Sequence, residues 1–380
     1  MKNFIPILLF VLVLPPPLLF CPPPNAPTPS SIPPPPASSR ILTATNSQPI
    51  RILFDYSGLS YADTSKGIHL KSVLKMVADY LFSALKIDRK RDLSAFNATS
   101  CYTANIPFVY TSGVAADLVV FVTDKSDSST SGLNLEAWST TCFIDKTVNN
   151  RPVAGQLNIL ADKVDPSPQK IRPLYQTLLH EITHILAFSS TLYDFFIDSN
   201  GNVLGRNNIF QSRTVRGKTA AFLVLPTLKS ELAAHFGCMD VLGAELEDEG
   251  SAASAANHFE RRIFGDELMT SSSLLDSSYS RLTMALLKDS GWYEVDFSKA
   301  DVYKYGKSLG CNFLNTPCIQ NEKSAFPWYF TDKLNTEVNK KKKQKNYIYN
   351  YFISIIPTNK TTFKMNNFII LYHFTNTQPI

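Results

Sequence analysis

Residues Ile171–Ser190 read IRPLYQTLLHEITHILAFSS, and this stretch decides the fold. Leu174, Leu178, Ile182 and Ile185 recur at helical spacing and form one apolar stripe, and Pro173 suits a first helical turn. On such a helix His180 and His184 stand four residues apart on one face, where both imidazoles reach a single metal ion. Glu181 projects to a neighbouring position, where it serves as a base rather than a ligand. This is the H-E-x-x-H spacing, in which zinc acidifies water and a carboxylate takes the proton. Two histidines on an ordinary helix would give the same pattern, so the rest of the chain has to decide.

The chain has 380 residues, enough for one large or two modest domains, and a net charge of +5. That balance is mild and partly local to the C-terminal tail, and no nucleic-acid partner is implied. Lys2 precedes a short apolar run, Phe4 to Leu14, closed by Pro15, Pro16 and Pro17, so residues 1–20 read as a secretory signal. The run is too short to span a bilayer, and no further transmembrane helix is expected. Twelve of the 24 prolines fall between Pro15 and Pro36, which makes residues 21–48 an extended linker or remnant propeptide. After Cys21 come Cys101, Cys142, Cys238, Cys311 and Cys318, none in a C-x-x-C pair. In an exported protein they favour disulfides, with one thiol left over and the pairing open. Asn97-Ala98-Thr99 and Asn359-Lys360-Thr361 are glycosylation triplets.

The folded region begins near Pro49. Ile50, Ile52 and Phe54 alternate as a strand that closes at Asp55-Tyr56-Ser57-Gly58. Leu70, Val73, Leu74, Val77, Leu81, Ala84 and Leu85 mark an amphipathic helix. Leu118–Thr123 reads as a buried strand and Val153–Ala161 as another strand, in which Gly155 marks a bulge or a close backbone approach. Another helix runs from Ser280 to about Asp289 and stops at Gly291. The order implies an α+β fold, with a mixed sheet packed on two helices, one of them carrying the histidines.

A catalytic zinc takes three protein ligands. Six residues after His184 the chain has Ser190, so the third must lie further on, and spacing leaves His235 and His258 equally eligible; His69 and His373 look remote. The acidic run Glu245, Glu247, Asp248, Glu249 reads as a solvated face, and no second metal is assigned to it.

Several blocks then fall together: LLHEITHILAFSS, the run from His235 to Met269, PIRILFDYS, RPVAGQLNIL, and LTMALLKDSGWYEVDFSKADVYKYGKSLGCNFLNTPC. Across about residues 49 to 318 the chain resembles the leishmanolysin family of secreted or surface zinc metallopeptidases. The resemblance implies a metzincin-type twisted sheet and one zinc per chain. It makes His180, His184 and His258 the ligands, Glu181 the general base, and Met269 the methionine of a turn beneath the metal. It implies a monomer that cleaves proteins or peptides outside the cell, with Val153–Ala161 as the edge strand that pairs with substrate. Residues 49–190 and 191–330 would be the two catalytic subdomains. The alternative is a surface adhesion protein that keeps the fold without the activity.

The chain departs from the family in three places. Ala187 stands where the family has glycine, which would cost on the order of 1 kcal/mol if the backbone there were left-handed. Cys21 is the sole upstream cysteine, so latency through a propeptide thiol is not expected. Residues 331–380, with Lys340 to Lys343 and Lys345, replace a cysteine-rich region and read as a disordered tail.

Overall fold

Two residue patterns of different period build the first layer. In the computed structural model, which describes residues 28–31, 47–89, 91–126, 136–248, 256–271 and 276–330, β1 spans Ile52–Gly58 and α1 spans Ser65–Ala84. The signal, most of the linker and the Lys-rich tail lie outside the described residues. Thr64 caps α1 by accepting from the Gly67 amide, and Leu70, Val73, Leu74, Val77, Leu81 and Ala84 form its buried stripe. β1 takes in Asp55-Tyr56-Ser57-Gly58, the stretch at which its alternation closes. It continues to Gly58 because Leu118–Thr123 (β2) lies alongside it in parallel, with a register shift between Asp55 and Gly58.

The sheet is completed by β3, Trp138–Asp145, and β4, Arg151–Asn158. Its order is Ser30–Ser31, β3, β4, β2, β1, with β3 antiparallel to β4 and the other pairings parallel. All residues of β2, β3 and β4 are buried, as expected where both faces of a sheet are covered. One face carries the cluster of Phe96, Tyr110, Phe121 and Phe143, through which the Cys101–Cys142 disulfide passes. The other receives the histidine helix α2, Ile171–Leu186, which also packs on α1. The fold is thus α+β, with a mixed sheet on two helices.

The topology corrects one expectation. The segment Val153–Ala161 is not an edge strand: β4 lies between β2 and β3, and β3 is the antiparallel strand towards the margin. The sequence WSTTCFID conceals β3, because its hydroxyl residues resemble a loop. Those hydroxyls face the helix, where Ser139 Oγ donates to the Glu181 carbonyl at 2.7 Å and Thr141 Oγ1 to the Ile185 carbonyl at 2.9 Å. Gly155 is a close approach, as its place in a strand suggests. A Cβ there would meet Ile185 Cγ2 at 2.6 Å and the Thr140 carbonyl at 2.8 Å.

Beyond α2 come a hairpin of β5, Phe210–Val215, and β6, Lys218–Leu223, then α3, Pro226–Phe236, and α4, Arg281–Asp289. The apolar residues Thr219–Leu228 thus divide between the end of a strand and a helix start at Pro226. Asp289 accepts from the Thr227 and Leu228 amides and so ties the end of α4 to the start of α3. Cys238 and Cys311 form the second disulfide, and Cys318 takes part in neither. Contacts group the described residues into one compact unit ending at Cys311 and another starting at Asn312.

Candidate metal centre and catalytic site

α2 positions His180, Glu181 and His184 in its last two turns, all with at most 1% exposure. Burying three polar side chains on a helix face is costly unless each has a partner. Two chain reversals supply the partners of the histidines. Past its end the helix folds back so that the Phe188 carbonyl lies 2.6 Å from His184 Nδ1. From the other side, the Leu268 carbonyl lies 2.7 Å from His180 Nδ1. A carbonyl accepts only, so both Nδ1 atoms carry the proton and both Nε2 atoms keep a lone pair.

Those lone pairs converge. His180 Nε2 lies 2.9 Å from His184 Nε2 and 3.3 Å from His258 Nε2. Three nitrogens bound to one tetrahedral zinc at about 2.0–2.1 Å would be roughly 3.3 Å apart. The three ligand atoms lie within 4.8 Å of one another. Burial pushes the His180 imidazole down to about 4, against the raising effect of the Leu268 hydrogen bond. For His184 burial acts first, and the charges of His180 and His258 add to it, holding the ring well below its ordinary value. All three causes favour neutral imidazole, the form that binds metal. The donor set therefore fits zinc, as neutral nitrogens suit a borderline-soft ion better than calcium or magnesium.

His235, which spacing left level with His258, lies elsewhere. It is half-buried on α3, with Nε2 2.8 Å from the Tyr305 carbonyl and its ring stacked on Tyr303 at 4.5 Å. His69 lies on α1, outside the group.

His258 is held by residues that the spacing could not single out. Next to it, Asn257 Oδ1 accepts from the Ser190 amide at 2.6 Å, and Tyr193 donates its hydroxyl to the Ala256 carbonyl at 2.9 Å. The Glu247 amide donates to the His258 carbonyl at 2.9 Å, and the Phe259 amide to the Met269 carbonyl at 2.9 Å. Met269 is fully buried in the turn whose Leu268 carbonyl faces His180. That turn is fixed by Glu267. Its carboxylate accepts from the Met269 amide, the Ser280 amide and hydroxyl, and the Thr283 hydroxyl. Burial pushes the Glu267 carboxyl up to about 7, against the pull of those donors.

The cost expected at Ala187 does not arise. Its φ is −164°, an extended value open to any residue, rather than the left-handed one that would favour glycine. The helix ends because the Ala187 and Phe188 amides both turn back to the Thr183 carbonyl.

Residues 63–346 match the family model described as Leishmanolysin. Among curated proteins, the leishmanolysin-like peptidase of Drosophila melanogaster is 33% identical over 233 residues, covering 53% of this chain and 34% of that protein. The leishmanolysin homolog of Crithidia fasciculata is 31% identical over 228 residues, covering 59% of this chain and 32% of that protein. The leishmanolysin of Leishmania chagasi is 27% identical over 278 residues, covering 71% of this chain and 43% of that protein. The chain spans about a third to two fifths of the length of these relatives.

Proposed function

Because the chain belongs to the leishmanolysin family of metallopeptidases, we propose that it is a zinc-dependent endopeptidase whose ligands are His180, His184 and His258 and whose general base is Glu181. The observation that carries this reading is the convergence of three buried Nε2 atoms beside a buried glutamate. When bound, zinc supplies Lewis acidity that acidifies water and polarises a carbonyl.

The chain's own groups do the rest. The Phe188 and Leu268 carbonyls hold His184 and His180 as Nδ1–H tautomers and fix their ring planes. Glu181 takes a proton from the attacking water on one carboxylate oxygen. It passes that proton to the leaving amine nitrogen as the C–N bond breaks, so one water is consumed and the carboxylate is regenerated. Met269 and Glu267 act through position, keeping the Leu268 carbonyl on His180.

Substrate would lie extended along β3 near Trp138–Thr141, with main-chain pairing supplying affinity. Among the described residues only Ser30–Ser31 pairs with that margin, and it does so further along, at Phe143 and Ile144. The metzincin architecture accords with this arrangement, in which residues 49–190 carry the sheet and α2 and the later chain brings in His258. Export suits the two disulfides, since such bridges persist in oxidising compartments. No described helix is long and apolar enough to cross a membrane.

The test compares wild type with Glu181→Gln for zinc content and casein hydrolysis. About one zinc per chain in both is expected, with hydrolysis at least ~10²-fold lower in the variant. Zinc in both with hydrolysis in neither would turn the reading towards a binding protein on this fold. Folded protein that takes up no zinc would defeat it.

A further inference from the structure

Of the two glycosylation triplets, Asn97-Ala98-Thr99 falls within the described residues, and its surroundings give it a task. Leu93 pairs with Val114, the Phe96 amide donates to the Tyr110 carbonyl at 3.1 Å, and the Ile106 amide donates to the Thr99 carbonyl at 2.9 Å. Residues 93–99 thus run antiparallel to residues 106–114, and Asn97 stands level with the stretch between Ile106 and Tyr110. Just beyond the triplet, the Cys101–Cys142 disulfide fastens this loop to β3. Burial changes sharply from one side chain to the next. Phe96 is buried among Tyr110, Phe121 and Phe143, whereas Asn97 is exposed and makes no hydrogen bond among the described residues. Thr99 is exposed too, and the residue between them is not the proline that would disable the triplet. The amide that would receive a sugar therefore stands free in solvent, as this modification requires.

On the opposite segment, at the level of Asn97, stand Phe108 and Val109, 87% and 66% exposed. Phe108 is the most exposed large apolar side chain among the described residues. The backbone gives neither side chain a way in. Pro107 opens the single 3₁₀ turn Phe108–Ser112, and the Tyr110 amide closes on the Pro107 carbonyl at 3.1 Å. Tyr110 is itself buried, and its hydroxyl donates to Asp55 Oδ2 at 2.9 Å. Turning Phe108 or Val109 inwards would pull Tyr110 out of the core. A lone exposed apolar residue needs no explanation, but an adjacent pair held out by the backbone does. A saccharide lays C–H faces on apolar side chains and turns hydroxyls to water, so it covers such a pair and keeps the surface soluble.

We propose, on the reading that the chain is exported, that Asn97 carries an N-linked oligosaccharide that covers Phe108 and Val109. In the transfer, Asn97 Nδ2 attacks the anomeric carbon of an oligosaccharide carried on a polyprenyl diphosphate. A C–N bond forms, the C–O bond to the diphosphate breaks, the lipid diphosphate leaves, and the amide gives up one proton.

The experiment expresses the full chain, with its own N-terminal segment, in a eukaryotic secretory host. The secreted protein is treated with a peptide-N-glycosidase in heavy-oxygen water and read by peptide mass spectrometry. Position 97 should be converted to aspartate bearing heavy oxygen. Thr99→Ala should lose that signal, and Thr99→Ser, which keeps the hydroxyl, should retain it. Stripping the glycan from the folded wild-type protein should raise the binding of a hydrophobic dye several-fold. The same treatment of a Phe108→Ser, Val109→Ser double variant should give no rise. Because stripping is done on folded protein, the result does not depend on how well a Thr99→Ala chain folds. Secreted protein with a bare Asn97 would overturn the proposal and leave export standing. Protein retained in the cytosol, with neither glycan nor disulfides, would overturn both. An occupied Asn97 whose stripping leaves dye binding unchanged would overturn the covering role.

Discussion

Gly155→Ala tests the link between sheet and helix on which the histidine geometry depends. The added methyl would lie 2.6 Å from Ile185 Cγ2 and 2.8 Å from the Thr140 carbonyl. Ordinary carbon contacts fall at about 3.5–4.0 Å, so α2 has to lift by roughly 1 Å. It cannot lift freely, because Ser139 and Thr141 hold the Glu181 and Ile185 carbonyls from β3. Overpacking of this kind costs about 1–3 kcal/mol. Ile185 directly follows His184, so the displacement reaches the ligand, and a misplacement near 1 Å lowers rate by about 10²-fold. Urea unfolding, zinc affinity and peptide hydrolysis measured on the same samples would separate these effects. Ile185→Ala removes the clashing methyl, so the double variant should be less destabilised than the two single costs combined, by about 1 kcal/mol. A Gly155→Ala protein with wild-type stability and zinc affinity would refute the close-approach argument.

Two further outcomes follow from other contacts. Asp117, with a side chain 2% exposed, accepts from the Arg51 amide and from the guanidinium groups of Arg51 and Arg89. Burial alone would raise its carboxyl, but the hydrogen bonds from Arg89 and Arg51 win and hold it below the ordinary value. Because the folded value is the lower one, this stabilisation is complete above about pH 4, the unfolded value, and is lost as pH falls through the folded one. Asp117→Asn should therefore cost about 3 kcal/mol at pH 7 and flatten the acid limb of a stability–pH profile. The low end of the buried-pair range applies because Arg51 also pairs with Asp92 and keeps a third of its side chain in water; an unchanged acid limb would count against the assignment. Glu267→Gln replaces a four-donor acceptor with a group having one acceptor oxygen. It should lower stability by about 1–3 kcal/mol and zinc affinity by roughly 10–100-fold, read by unfolding and by competition with a chelator. Lost stability with unchanged zinc affinity would show that the turn does not orient His180.

The sequence by itself determined the elements whose signals are local. The stripe from Leu70 to Ala84, the β-branched run Leu118–Thr123 and the apolar face of Ile171–Leu186 each bury what their period demands, because a helix or a doubly covered strand must hide that surface wherever it sits. The spacing of His180, Glu181 and His184 was equally local, since one helix sets it. What lay between elements was not legible. WSTTCFID became the antiparallel strand only because a helix stands ready to accept its hydroxyls, and that displaced Val153–Ala161 from the margin. His258 and His235 differ in nothing that spacing records. One is carried to His180 by the pairing of Leu246 with Phe259 and the turn at Met269, while the other stacks on Tyr303. The acidic run read as a solvated face for the same reason. Its neighbour Glu260 is distant in sequence, and only tertiary structure puts a buried carboxylate beside Glu247 and Asp248. Long-range pairing decides these matters, and its energy depends on both partners at once, so neither segment alone carries the information.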